Sequence, residues 1–236
     1  MISIIIPTRN NARQLNFLLG YLRRVPFVEY ITEIIVSDGN SEDRTLEVAE
    51  SYDDVKIINN PIEGTAAQMN AGARIATGNI LYFLHPDTLP PRDFAYEIVN
   101  HHENGYSSGC FRLQYDHSHW LLKTNAWFTR FNFSWFRSGD QSLFVQRTVF
   151  NSLGGFREDH ILLEEQEMIR RIKSTGSFVV IPRYITSSAK KYLENGIYRL
   201  QGIYVYIFAL YSFGVSQDNL MRMYEHLMSP ASTANV

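Results

Sequence analysis

The chain has 236 residues, 45% hydrophobic and 19% charged, an ordinary balance for a soluble protein with room for one sizeable core. Twenty-two basic against 24 acidic residues leave a net charge of −2, which excludes a global field that recruits nucleic acid, so any anion site has to be local. The lone Cys110 excludes an intrachain disulfide and a cysteine-built metal centre, and it reads as a small buried hydrophobe in a reducing, cytoplasmic setting.

From the amino end, MISIIIPTRN shows neither a basic leader nor a small-residue cleavage pattern and is expected to form the first strand, Ser3 to Ile6, ending at Pro7. Gln14 to Leu22 follows with Leu15, Leu18, Leu19 and Leu22 at helical spacing. Ile31 to Ser37 reads as a strand buried on both faces, and Glu42 to Ser51 as a helix opening just after Ser41. Val55 to Ile58 is the third expected strand, Ala66 to Ala76 the next helix and Ile80 to Leu84 the fourth strand. This alternation predicts an α/β fold with crossover units and a mostly parallel central sheet flanked by helices. Pro7, Asp38 and His85 to Asp87 then fall at carboxyl ends of strands, the edge where open parallel sheets bind ligands.

In VSDGNSEDRT, Gly39 suits a sharp turn and Ser41 or Asp43 a helix cap, whereas Asp38 at the strand end could accept hydrogen bonds from a base or a ribose. EGTAAQMNAGARIATG opens a helix whose amino end could face an anion; Asn70 is a candidate contact or an ordinary surface residue, and Gly72 suits close packing on the sheet. His85 and Asp87 lie on one side of an extended segment, where an imidazole and a hard oxygen could share one Mg2+ or Mn2+ completed by phosphate oxygens and water. A turn in which Asp87 caps the segment beginning near Pro90 accounts for the same residues. Asp140 and Gln141 fit a polar turn before a strand, and EEQEMIRRI fits an exposed helix on which Glu167 pairs with Arg170 and Arg171 at the surface.

Five blocks, SIIIPTRN, VSDGNSEDRT, GTAAQMNAGARIATGNILYFLHPDT, GDQSLFVQRTVFNSLGGF and LLEEQEMIRRI, stand in the order and spacing of the family 2 inverting glycosyltransferases, and residues 1 to 195 resemble that family. The sequence is most similar to the small bacterial transferase 2 branch associated with radical SAM and selenium-related genes, where a His-x-Asp metal motif also occurs. The resemblance implies a GT-A domain over residues 1–195, its nucleotide-binding half about 1–90 and its acceptor half about 91–195, followed by a helical extension over 196–228. It further implies transfer of a sugar from a nucleoside diphosphate donor, a UDP-sugar favoured, to a saccharide or lipid-linked acceptor, with Mn2+ or Mg2+ as cofactor. Pro7, Thr8 and Arg9 would line the nucleotide pocket, Asp38 would meet the base, and Asp87 would hold the cation with His85, which stands where most of the family has Asp. Glu164 and Glu165 match the family's Glu-Asp pair, so that Glu165 would be the general base. Asp140 and Gln141 would meet the acceptor, and Lys190 and Lys191 would neutralise the departing diphosphate or simply form a wet surface. A nucleotide-sugar binding protein without turnover is the alternative, because His85 and Glu165 each replace an Asp.

Two aromatic stretches remain, residues 127–136 and 202–215. The second has fourteen residues and is short of the roughly twenty needed to span a bilayer as a helix. Both are expected to form core or homodimer contacts, or an interfacial surface at the inner face of a membrane. Residues 229–236 are expected to form a frayed tail.

Overall fold

The computed structural model describes residues 1–59, 64–133 and 137–229. Strand β1 (Ile2–Thr8) is buried along its whole length because it runs between two parallel neighbours, β2 (Ile31–Asp38) and β4 (Ile80–Phe83), with helices on both faces. Ile4 and Ile6 face helices α1 (Ala12–Leu22) and α4 (Phe94–Glu103), while Ile5 faces α3 (Thr65–Ile75). Each such isoleucine contributes about 1.5–3 kcal/mol when taken out of water. Strand β3 (Val55–Asn59) pairs in parallel with β2 and closes that edge, and α2 (Thr45–Glu50) packs beside α1.

Beyond β4 the sheet becomes mixed. Strand β7 (Leu143–Gln146) lies antiparallel to β4 and to β6 (Ser108–Tyr115); β8 (Phe178–Ser187) is parallel to β6, and the short β5 (Thr88–Leu89) ends the sheet antiparallel to β8. The strand order is β3-β2-β1-β4-β7-β6-β8-β5, with four parallel and three antiparallel pairings. Helices α6 (Arg147–Ser152) and α7 (Glu164–Thr175) share the face of α3. Helix α5 (Trp120–Phe128) packs on β6 and meets α8 (Lys190–Asn195) and α9 (Ile197–Ser212) through Leu122, Tyr192 and Leu200, and α9 in turn packs on α10 (Gln217–Met228).

Two expectations change on inspection. Helix α2 starts at Thr45, later than Glu42, because residues 41–43 are held in a turn: Ser41 bonds back to Asp38, and Asn10 Oδ1 accepts from the Glu42 amide. The helix of EEQEMIRRI is not an exposed face for Glu167 and Arg171. Glu167 is only 2% exposed and accepts from Arg171 Nε (2.7 Å) and Nη2 (2.6 Å), while the same guanidinium donates to the carbonyls of Leu153 and Gly155 (2.8 Å each). The loop from α6 covers the start of α7, and the Glu167–Arg171 pair fastens it there; Arg170 alone is exposed as expected. Cys110 is buried and Gly72 lies against Ile5, where a Cβ would sit 2.5 Å from Cγ2. The tail from residue 230 on, and residues 134–136 of the first aromatic stretch, lie outside the described residues.

Candidate active site

Parallel pairing brings Thr8 level with Asp38 and carries the chain after β4 to the same edge. There a cavity of about 310 Å3 is lined by Pro7 and Thr8 at the end of β1 and Arg9 and Asn11 after it, by Gly64, Thr65 and Gln68 at the start of α3, and by His85, Pro86 and Asp87 after β4. That volume is at the low end for small-molecule pockets. Thr8 Oγ1 is buried behind the wall and has no hydrogen-bond partner among the described residues. Asp87 is exposed at the mouth, and its carbonyl accepts from the amide of Ser188, which sets the end of β8 and the start of α8 beside it.

The other candidate residues come to this edge from the second half of the chain. Antiparallel pairing of β7 with β4 sets the turn Gly139–Gln141 next to the end of β4. Leu163 precedes α7 in the left-handed region (φ 65°), an uncommon conformation for a leucine, and the helix opens with Glu164, Glu165 and Glu167 where its dipole favours negative charge. Glu165 thereby reaches His85: Nε2 and Oε1 are 2.7 Å apart, linking residues 80 positions apart in sequence. Gly139 packs against both, for a Cβ there would lie 2.7 Å from His85 Nε2 and closer still to Glu165 Oε1.

Acids crowd around this pair. Burial opposes the imidazolium, but the hydrogen bond and charge of Glu165, with Asp87 and Asp140 beyond, push the His85 pKa up to about 9. Asp140 is pushed up to about 6 by burial and by the charge of Asp87, with His85 pulling the other way. Burial and the adjacent Glu165 charge hold the Glu164 carboxyl far above the usual range, with His85 opposing. Lys191 sits between the rings of Tyr204 and Tyr224 (5.7 and 5.5 Å) and lowers the Asp140 pKa; Lys190 points outward to Glu194 at 3.7 Å.

Other expected contacts sit away from the cavity. Asp38 is fully buried, and its two oxygens accept from the amide (2.8 Å) and hydroxyl (2.5 Å) of Ser41. Asn70 exchanges hydrogen bonds with the backbone of Phe156 (2.9 Å each way), bracing the loop before α7. Gln141 is buried, its amide donating to the Phe111 carbonyl at 3.0 Å. Asn11, Thr65, Gln68 and Gly139 were not singled out in the sequence; of these, Thr65 and Gln68 at the first turn of a helix that follows a glycine gave the one local signal.

His85 Nε2 is engaged by Glu165, and among the described residues no group of three His, Cys, Asp or Glu side chains is placed to hold a metal ion by itself. Asp87 presents an exposed carboxylate at the cavity mouth, with acids behind it whose mutual repulsion a cation would relieve. This donor set fits an Mg2+ or Mn2+ that keeps waters and takes its other ligands from a bound diphosphate.

The family described as Glycosyl transferase family 2 matches residues 3–158, more than half of the chain. Validoxylamine A glucosyltransferase of Streptomyces hygroscopicus subsp. jinggangensis is 33% identical over 107 residues, 43% of this chain and 25% of that protein. The PGL/p-HBAD biosynthesis glycosyltransferase of Mycobacterium bovis is 26% identical over 219 residues, covering 83% and 78% of the two chains. This chain thus spans about a quarter of the length of the first relative and most of the second. Among solved structures, the mannosyltransferase PcManGT from Pyrobaculum calidifontis, in complex with GDP-Man and Mn2+, superposes with a TM-score of 0.70 over all of this chain and 76% of its own, at 15% identity. S. aureus TarS 1–349 in complex with UDP-GlcNAc does so with 0.66 over 79% and 58%, also at 15%. These likenesses establish the GT-A fold, and with the family match over the strand-end motifs they lead to one conclusion: the chain belongs to glycosyl transferase family 2.

Proposed function

We propose that the chain moves a sugar from a nucleoside diphosphate sugar, a UDP-sugar in the first place, to an acceptor hydroxyl with inversion. The observation that carries this reading is the 2.7 Å contact between His85, at the donor-side strand end, and Glu165, at the start of α7, beside the strand-end cavity. The donors named with the solved neighbours, UDP-GlcNAc and GDP-Man, support a nucleotide-sugar in that cavity. Pro7, Thr8 and Arg9, which line the cavity, would hold the nucleotide. The His-x-Asp form of the motif supports the narrower kinship with the transferase 2 branch.

In the proposed reaction the acceptor oxygen attacks the anomeric carbon, its proton passes to the Glu165 carboxylate, and the bond from that carbon to the diphosphate oxygen breaks in the same displacement. One such step inverts the carbon. His85 donates to Oε1 and keeps the carboxylate turned toward the cleft, leaving the other oxygen for the proton. A divalent cation at Asp87, when bound, supplies charge that holds the diphosphate and steadies it as it departs. Lys191 would add a fixed positive charge on the same side.

The second reading, a binding protein without turnover, is favoured by the same contact, since a carboxylate paired with a cation is a weaker base. A thermal-shift screen of nucleoside diphosphate sugars with and without Mn2+, followed by measurement of donor hydrolysis or transfer, separates the two. A donor that raises the melting temperature and is consumed supports the enzyme; one that binds without loss supports the binder; no shift with any donor overturns both.

A further inference from the structure

Residues 117–139 and 195–217 contain no aspartate or glutamate, in a chain that has 24, yet they carry Lys123, Arg130, Arg137 and Arg199. They are also neighbours in space: Asn125 Nδ2 donates to Gln201 Oε1 (2.6 Å) and Trp120 Nε1 to the Tyr198 hydroxyl (3.2 Å). Within the first of these acid-free segments Trp127 (46% exposed), Phe128, Phe131 and Phe133 (62%) form a chain of ring contacts 5.1–6.4 Å apart. Arg130 lies over Trp127 at 4.5 Å. Along α9 and just past its end, Tyr198, Val205, Tyr206 and Phe213 (86%) extend the exposed apolar surface.

The backbone of residues 129–133 is tied from below. The buried Arg137 guanidinium donates to the carbonyls of Thr129 (2.7 Å), Phe131 and Phe133 (3.3 Å), and Thr129 Oγ1 accepts from the Leu113 amide at 3.0 Å. A buried cation that fixes the backbone beneath exposed rings presents them ready for contact, with little ordering left to do on binding. A two-fold contact between copies of the chain centred on the rings would set Lys123 and Arg130 against their own copies, and neither acid-free segment brings a carboxylate to pair with them, which disfavours a dimer here. Rings that mix with headgroups, interspersed with arginine and lysine, suit the boundary of an anionic bilayer. Among the described residues no helix is long and apolar enough to cross a membrane, so the contact would be peripheral.

We propose that this acid-free aromatic face, centred on Trp127, Phe131 and Phe133, seats the protein on an anionic lipid bilayer. It adjoins the candidate site: Gln166, next to Glu165, donates to the Arg137 carbonyl, and Gly139 touches Glu165. A corollary that rests on the transfer reading is that the acceptor hydroxyl is borne by a lipid. Flotation of the whole protein with phosphatidylcholine vesicles, with and without phosphatidylglycerol, tests the docking without donor or turnover, so its outcome is independent of sugar transfer. In low salt the protein should float with the anionic vesicles alone, and salt should release it. Trp127→Ser with Phe133→Ser, and separately Lys123→Glu with Arg130→Glu, should each cut the bound fraction roughly tenfold or more while the melting temperature holds. The unmodified protein offers a check that needs no variant, a blue shift of tryptophan emission on anionic vesicles. Protein that stays at the bottom in low salt, variants that float like the parent, or a solution dimer dissolved by Trp127→Ser with Phe133→Ser would overturn the proposal.

Discussion

Glu165 offers two oxygens, and one of them is occupied by His85 at 2.7 Å. In the proposed reaction the other takes the acceptor's proton, so Glu165→Gln should preserve the hydrogen bond to His85 through its carbonyl while removing the proposed base. Because Glu165 is outside the wall of the donor cavity, donor affinity by calorimetry should stay within about threefold while turnover falls about a hundred- to ten-thousandfold. Turnover near the parent's would remove Glu165 from the mechanism. Gly139 provides a finer probe of the same pair. Its conformation does not demand glycine, yet a methyl there would press on both His85 Nε2 and Glu165 Oε1. Gly139→Ala should therefore force the carboxylate aside and lower kcat by more than about tenfold, with a smaller change in the KM for donor. Equal loss in both constants would mean that the turn serves the donor instead.

At the level of elements, the start of α7 depends on the loop that covers it. Arg171 satisfies a buried carboxylate and two carbonyls at once, so Arg171→Met would leave Glu167 charged and unpaired in a dry place. The expected loss is about 3–5 kcal/mol in urea denaturation, and adding Glu167→Leu should restore much of it. A loss under about 1 kcal/mol for the single change would show an ordinary surface pair. The i to i+4 spacing of these residues was legible, but their burial was not. Periodicity says which residues share a helix face, whereas burial depends on a loop 10 to 15 residues upstream whose path Asn70, on another helix, helps to fix. The strands of the first half were legible to within a residue or two, since β1, β2 and β4 are continuous apolar runs ended by polar turns. The antiparallel return of β7 was not, because nothing local in LFVQ encodes its partner. For the same reason His85 could be read as a cation ligand but not as the partner of Glu165, while the Asp38–Ser41 bond, three residues apart, lay within reach of local turn chemistry.

The whole molecule sets opposite electrostatic demands at the two edges of its sheet. At the site edge Asp140 and Glu164 are pushed toward the protonated form, whereas at the far edge Glu33 is held charged. Glu33 accepts from Ser3 Oγ (2.6 Å) on β1, from the Thr77 amide (2.6 Å) and hydroxyl (2.7 Å) before β4, and from Lys56 Nζ (2.5 Å) on β3, so one carboxylate ties four segments of the parallel half together. Burial alone would raise its pKa; the bonds from Lys56, Ser3 and Thr77 outweigh that and lower it from 4.5 to about 2. A carboxyl whose folded pKa is depressed adds stability that is complete above its unfolded value and lost as pH falls through the folded one, here between about 4.5 and 2. The shift corresponds to about 2–3 kcal/mol once allowance is made for the half-exposed Lys56. Glu33→Gln should thus lower the melting temperature at neutral pH by roughly 4–12 °C, since an amide nitrogen replacing the oxygen that accepts from Lys56 would set donor against donor. Between pH 4.5 and 2 the parent should lose its advantage and the two stability curves converge. Curves that stay parallel across that window would show that Glu33 is not the charged tie at the base of the sheet.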